Sequence, residues 1–179
     1  MHNILFPALI LIVITATPLF AQNRYDDNWF FARVNYGLQL NFAGDALNVS
    51  YVPRVDTRMV EASVTMSDAS GNLLFYSNNC SISNARHEIM ENGDGLNPGF
   101  LQTYFCTVSP FASPENQSIM ALPHPAKPNI YYVFHVDLEL YNWGPPPNGS
   151  QTSPLHLYVT TVDMDQGNGL GAVVEKMSR

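Results

Sequence analysis

The run VTMSDASGNLLFYSNNCSISNARHEIMENGDGLN, residues 64–97, carries a fold in its punctuation. Asp68-Ala69-Ser70-Gly71-Asn72 makes one corner and Asn92-Gly93-Asp94-Gly95 another. Gly and Asn accept the left-handed backbone of tight turns, and Asp side chains bond the backbone around them. Between the corners the apolar residues come in brief runs bounded by turn residues, the pattern of a compact antiparallel sheet. Just upstream, Ala62, Val64 and Met66 alternate with Ser63, Thr65 and Ser67, the two-residue period of a half-buried strand.

The same grammar extends outward. Leu38, Leu40 and Phe42 alternate with polar neighbours after Trp29-Phe30-Phe31, and Ala43-Gly44-Asp45 reads as a turn. Residues 48–56 carry Pro53 and predict an edge strand or a loop. Residues 80–89 predict a strand bent at Asn84-Ala85, and 118–123 a short strand ending at its proline. Residues 100–114 are apolar but broken by Pro110 and Pro114, which predicts a traversing loop.

The strongest strand pattern is 130–138. Ile130, Tyr132, Phe134, Val136 and Leu138 share one face; Tyr131, Val133, His135 and Asp137 share the other. Both faces are mostly apolar at the centre, so the pattern predicts a strand buried on both sides. A loop is expected over 143–153, strands over 155–164 and from 172, and a glycine turn over 165–171. No stretch sustains a 3.6-residue period, so the chain is predicted all-β, built of short antiparallel strands. A short strand, a turn and an aromatic-rich strand occur twice, from Ala62 and from Gln117, at a spacing of about 55 residues, which predicts about two blades of a β-propeller-like fold. A small β-sandwich is the alternative.

Residues 1–21 read as an export signal, with an apolar heart over 4–14 and the small residue Ala21 before Gln22. A membrane anchor needs roughly 20 mainly apolar residues, and Thr15, Thr17 and Pro18 interrupt this run early. Residues 22–179 remain as one domain, and all the charges lie there, so its formal charge is −7. That balance disfavours nucleic acid and anionic membranes as partners, since both call for basic patches. Cys80 and Cys106 are the only cysteines. In an oxidising compartment they either form one disulfide, worth roughly 3 kcal/mol on the chain-entropy model, or remain two separate buried thiols.

Chemistry-bearing patterns are sparse. Glu88, Glu91 and Asp94 could serve as paired carboxylates, although a glycosidase needs two at a defined separation across a cleft. Asp94, Asn92 and Asn97 could offer oxygens to calcium, but without the spacing of a calcium loop a structural turn is the preferred reading. Asp163-Met164-Asp165 fails the same test, and His87, His124, His135 and His156 have no partner at metal-ligand spacing. His135 reads as a hydrogen-bonded core histidine. Tyr131, Tyr132, Tyr141 and Trp143 could form an aromatic platform, although aromatic strands are more often core. No catalytic residue, metal or cofactor is therefore expected.

The chain resembles the N-terminal propeller-like region of large exported Bacteroidota proteins that carry PKD repeats or a type IX secretion sorting tail. The motifs are Asn28-Trp29-Phe30-Phe31 with Gly37-Leu38 and Phe42, and residues 67–76 with Asn79-Cys80. Glu91-Asn92-Gly93-Asp94-Gly95-Leu96-Asn97-Pro98-Gly99, Leu122-Pro123-His124-Pro125, residues 131–135, residues 162–164 and residues 169–176 continue them in order. Arg33 departs from the small residue that related opening motifs carry, and family members run on for several further blades. The resemblance implies an exported, secreted or cell-surface binding or scaffold module. Its partners would be the remaining blades of a longer chain, or a glycan or other cell-envelope component. It also implies that this chain is a fragment with an open apolar sheet face. The alternative function is a secreted carbohydrate-active hydrolase using Glu88 and Asp94.

Overall fold

The computed structural model describes residues 24–33, 35–43, 46–59, 61–97, 99–108, 112–141 and 151–178. The export signal read at residues 1–21 lies outside them, as do Gly44, Asp45 and most of the loop read at 143–153. Among the described residues the all-β expectation is borne out. The first sheet is a meander of β1 (Asn28–Arg33), β2 (Tyr36–Asn41) and β3 (Asn48–Val52). The middle sheet is a second meander of β4 (Val64–Ser67), β5 (Leu73–Ser77) and β6 (Ile82–Asn84). After a helix, α1 (Phe100–Thr107), the last sheet pairs β7 (Ile119–Pro123), β8 (Ile130–Val136), β11 (Leu157–Asp163) and β12 (Ala172–Ser178). A two-stranded ribbon of β9 (Glu139–Tyr141) and β10 (Gln151–Ser153) interrupts it. All pairings between these strands are antiparallel, and an isolated parallel bridge joins Glu91 to Ala172. The repeat beginning at Ala62 builds the middle sheet and the one beginning at Gln117 starts the last.

The middle sheet is covered on both faces. Met66, Phe75 and Ile82 meet Ile119, Ala121, Tyr131, Val133, Val162 and Val173 of the last sheet in the larger core. On the other face Tyr76 joins Phe30, Ala32, Val52, Val55 and Met59 around the first sheet. Phe30 lies 4.4 Å from Tyr76 and 5.1 Å from His87, centroid to centroid. Its ring occupies the space over Gly37, where a Cβ would come within 2.6 Å of it. That close approach is why the second strand carries a glycine.

The first two sheets are also joined by Asn28, which is buried. Its Nδ2 donates to Ser67 Oγ (2.9 Å) and Gly71 O (2.8 Å), and its Oδ1 accepts from Gln39 (2.7 Å) and Asn41 (2.8 Å). The aromatic opening motif and the Asp68–Asn72 corner are thus halves of one junction. Gly71 turns that corner at φ +85, with Asp27 so close that a Cβ would meet its Oδ2 at 2.5 Å. Asn fills six of the nine non-glycine positions of positive φ among the described residues (Asn35, Asn79, Asn92, Asn97, Asn129 and Asn168). The abundance of asparagine is accordingly turn chemistry, since Asn tolerates this region far better than other side chains.

Three sequence expectations need correction. Residues 100–114 open with α1 instead of a traversing loop. Two turns are too few to display a helical period, and the helix is held by tertiary ties. Gln102 and Cys106, four apart and so on one face, reach the adjacent residues Asn79 and Cys80. Gln102 Nε2 donates to Asn79 O (2.8 Å), and Cys106 forms a disulfide with Cys80, Cα–Cα 5.5 Å. Residues 80–89 are not one bent strand. Asn84 Oδ1 accepts the Arg86 and Glu88 amides, His87 takes φ 68, and the chain doubles back so that Ile89 bridges Ser83. Finally, β8 is buried on one face only, because Tyr132, Phe134 and Val136 remain partly exposed on the other.

Candidate interaction surface

Alternation along β1 sends Phe30 and Ala32 inward and Trp29, Phe31 and Arg33 outward. Pairing then sets rows across the outer face. Trp29 stands opposite Leu40 and Leu40 opposite Val49; Phe31 stands opposite Leu38 and Leu38 opposite Tyr51; Arg33 stands opposite Tyr36. Trp29, Phe31, Tyr36, Leu38, Phe42, Leu47, Val49 and Tyr51 are each 40–64% exposed. Trp29 meets Phe42 edge-on at 5.4 Å, and Tyr36 stacks with Tyr51 at 6.3 Å. Arg33 is the sole charged residue in the three strands. A groove of about 390 Å³ continues the face past Trp29 and Phe31 to Ser63 and Thr65.

The outer face of the last sheet is similar. Met120, Phe134 and Val159 form one row, and Leu122, Tyr132 and Thr161 the next. Met120, Leu122, Leu157 and Val174 are exposed. Surfaces of this kind gain by leaving water and offer few groups to orient a polar ligand.

The sequence-derived site residues do not assemble into one centre. Glu88 and Glu91 are exposed, and neither lines the cavity of about 390 Å³ beside the disulfide. Lys176 Nζ donates to Asp94 O at 2.7 Å and lies 3.4 Å from its Oδ1. Asn97 turns inward, away from any shared cation position with Asp94. Among the described residues no cluster of three His, Cys, Asp or Glu side chains forms. Tyr131 points into the core while Tyr132 lies on the opposite face beside His124, so the two share no platform. Trp143 and the Tyr141 side chain fall outside the described residues.

Three of the histidines sit in three different settings. His124 Nδ1 accepts the Ala126 and Lys127 amides in a turn. Burial lowers the His87 pKa where its ring stacks on Phe30. His135 is fully buried and pushed down to about 4 by that burial. Asn97 Nδ2 donates to Asn79 O and Oδ1, leaving Asn97 Oδ1 as acceptor for His135 Nδ1–H at 2.7 Å. His135 Nε2 then accepts from Thr160 Oγ at 2.9 Å, which fixes the neutral ring in one tautomer. Asn79 completes the network by donating to Ser113, Ser118 and Val136 O. These bonds tie the β5–β6 turn and the loop after the middle sheet to the last sheet.

One pair escaped the sequence reading. Asp137 accepts the Leu155 and His156 amides (2.8 and 2.9 Å) and contacts His156 Nδ1 at 2.5 Å. Burial opposes ionisation of Asp137, but these bonds outweigh it and hold the carboxyl below its ordinary range. The register of β8 against β11 sets Leu157 opposite Val136 and brings His156 to Asp137, a proximity that pairing the two strand patterns would have found.

The residues missed most consequentially are Trp29, Phe31, Leu38 and Tyr51. The alternation of Leu38, Leu40 and Phe42 with polar neighbours read as a half-buried strand with its apolar side inward; the structure instead turns Leu38 and Phe42 outward, because Gln39 and Asn41 turn in to bond Asn28. No protein-family model, curated protein or solved structure matches the chain.

Proposed function

We propose that the protein is an exported binding or scaffold module whose working surface is its open apolar sheet face, with no catalytic centre. The observation that carries this reading is the outer face of the first sheet, where eight large hydrophobic side chains stand 40–64% exposed. The signal-like residues 1–21 and the resemblance to exported propeller-like proteins support the export half of the proposal. Partners would be other β-sheets or an envelope component of flat, apolar character. The geometry offers less to a hydrolase, because Glu88 and Asp94 are both solvated and Asp94 is engaged by Lys176.

Fractionation of the expressing cell tests the reading. The chain is expected in the exported fraction with its N-terminus at Gln22, and Trp29→Ala with Tyr51→Ala should reduce surface retention by about tenfold, as loss of aromatic anchors does. Intracellular chain, or retention unchanged in the double variant, overturns it. Release of reducing sugar that is lost in Glu88→Gln would establish the hydrolase instead.

A further inference from the structure

We infer that the outer face of the first sheet binds the outer face of the last sheet on a second copy of this chain. The inference rests on the scaffold reading above and names its partner. Inside the molecule, both faces of the middle sheet are covered by antiparallel sheets. Each outer face exposes aromatic or aliphatic side chains, with Arg33 at the end of the first and Glu175 beside Thr161 on the last, and among the described residues no sheet covers either.

Area supports a protein partner. Aromatic side chains present about 150–250 Å² each, so the five aromatics of this face at 40–64% exposure offer about 500 Å², and Leu38, Leu47 and Val49 at 44–60% bring the total to about 800 Å². That is the area each partner contributes to a standard interface and exceeds the largest apolar patch usual on a monomer. A sugar would need orienting polar groups, and along these strands Arg33 and the tyrosine hydroxyls are what the outward rows provide. Anionic lipid is opposed by the formal charge of −7.

Pairing first sheet with last sheet is the single contact type that covers both kinds of open face, on every copy except those at the ends of an open chain. It continues the stacking already present, with first, middle and last sheets followed by the first sheet of the next copy. Such a contact is heterologous, so it joins two different patches. A symmetric contact between two first sheets would leave Met120, Leu122 and Leu157 uncovered.

The difference is testable by sedimentation of the purified chain. Wild type is expected to sediment above the monomer. Leu38→Glu damages only the first-sheet face and Leu122→Glu only the last-sheet face; both positions are exposed. Each variant alone should be monomeric, and their 1:1 mixture should form a heterodimer through the one intact face on each. Tyr51→Glu and Met120→Glu repeat the test on other residues of the same faces, and near-ultraviolet circular dichroism identifies any variant that has not folded. A monomeric wild type overturns the inference, as does assembly that survives Leu122→Glu, or a mixture of folded variants that stays monomeric. An exported chain whose surface retention needs Trp29 but which sediments as a monomer would sink this inference and leave the scaffold reading standing.

Discussion

Two pairs of neighbouring aromatics show what the molecule has covered and what it has not. On β5, Phe75 and Tyr76 point to opposite faces and both are fully buried, one against the last sheet and one against the first. On β1, Phe30 and Phe31 also point to opposite faces, yet Phe30 is 3% exposed and Phe31 is 52% exposed. The sequence pattern is the same in both places. What differs is that, among the described residues, β5 lies between two sheets and β1 packs against one. Apolar residues on both faces of a strand are therefore buried on both only where sheets pack on both, as they do around β5.

The largest test of this contrast is Phe30→Ala. The ring fills space among Tyr76, His87 and Gly37, so truncation leaves a cavity as well as losing transfer energy. A loss of about 3–5 kcal/mol is expected by denaturant titration. A loss under about 1 kcal/mol would mean that the smaller core collapses around the gap and that the first sheet is only loosely docked.

Reducing the disulfide probes the covered region from its edge. The bond spans a sequence separation of 26 and pins α1 to the residue after Asn79. Its loss, by reduction or by Cys80→Ser with Cys106→Ser, should cost about 3 kcal/mol on the chain-entropy account. Unchanged stability would show that the Gln102 tie to Asn79 suffices to hold the helix.

Acid probes the interior between the middle and last sheets. His135 has a folded pKa of about 4 against an unfolded value near 6.5. Between these values the unfolded chain binds a proton that the folded chain does not, so stability falls as pH drops from about 6.5 to about 4 and is fully present above that window. The total is about 3 kcal/mol. Asp137, whose pKa is lowered, adds a separate loss at more acid pH. His135→Gln should flatten the upper window; a slope that persists in the variant would assign it to another group, with His87 the first candidate because burial lowers its pKa as well.

Much of this architecture was legible, and the failures share a cause. The 68–72 corner and the two-residue period of β2 and β8 are local patterns, visible without knowing what lies nearby; which sides of those strands are buried was not legible. The helix α1 was not, because its order comes from Asn79 and Cys80, about twenty residues upstream. The inward turn of Asn97 toward His135 was hidden for the same reason, since it depends on two sheets meeting. At β8 the sequence reading asked for two buried faces where the structure supplies one.

The smallest expected effect is the sharpest. Phe31→Ala removes as many carbon atoms as Phe30→Ala from the adjacent position on the same strand. In a monomeric sample its cost should stay within about 0.5 kcal/mol, as at exposed positions generally. The same substitution should weaken assembly, because Phe31 stands in the row with Leu38 and Tyr51 at the middle of the outer face. Measured side by side, the two variants separate what stabilises the folded chain from what joins it to a partner. Equal costs in the monomer would mean that something already covers the outer face there, and the contrast between β1 and β5 would be lost.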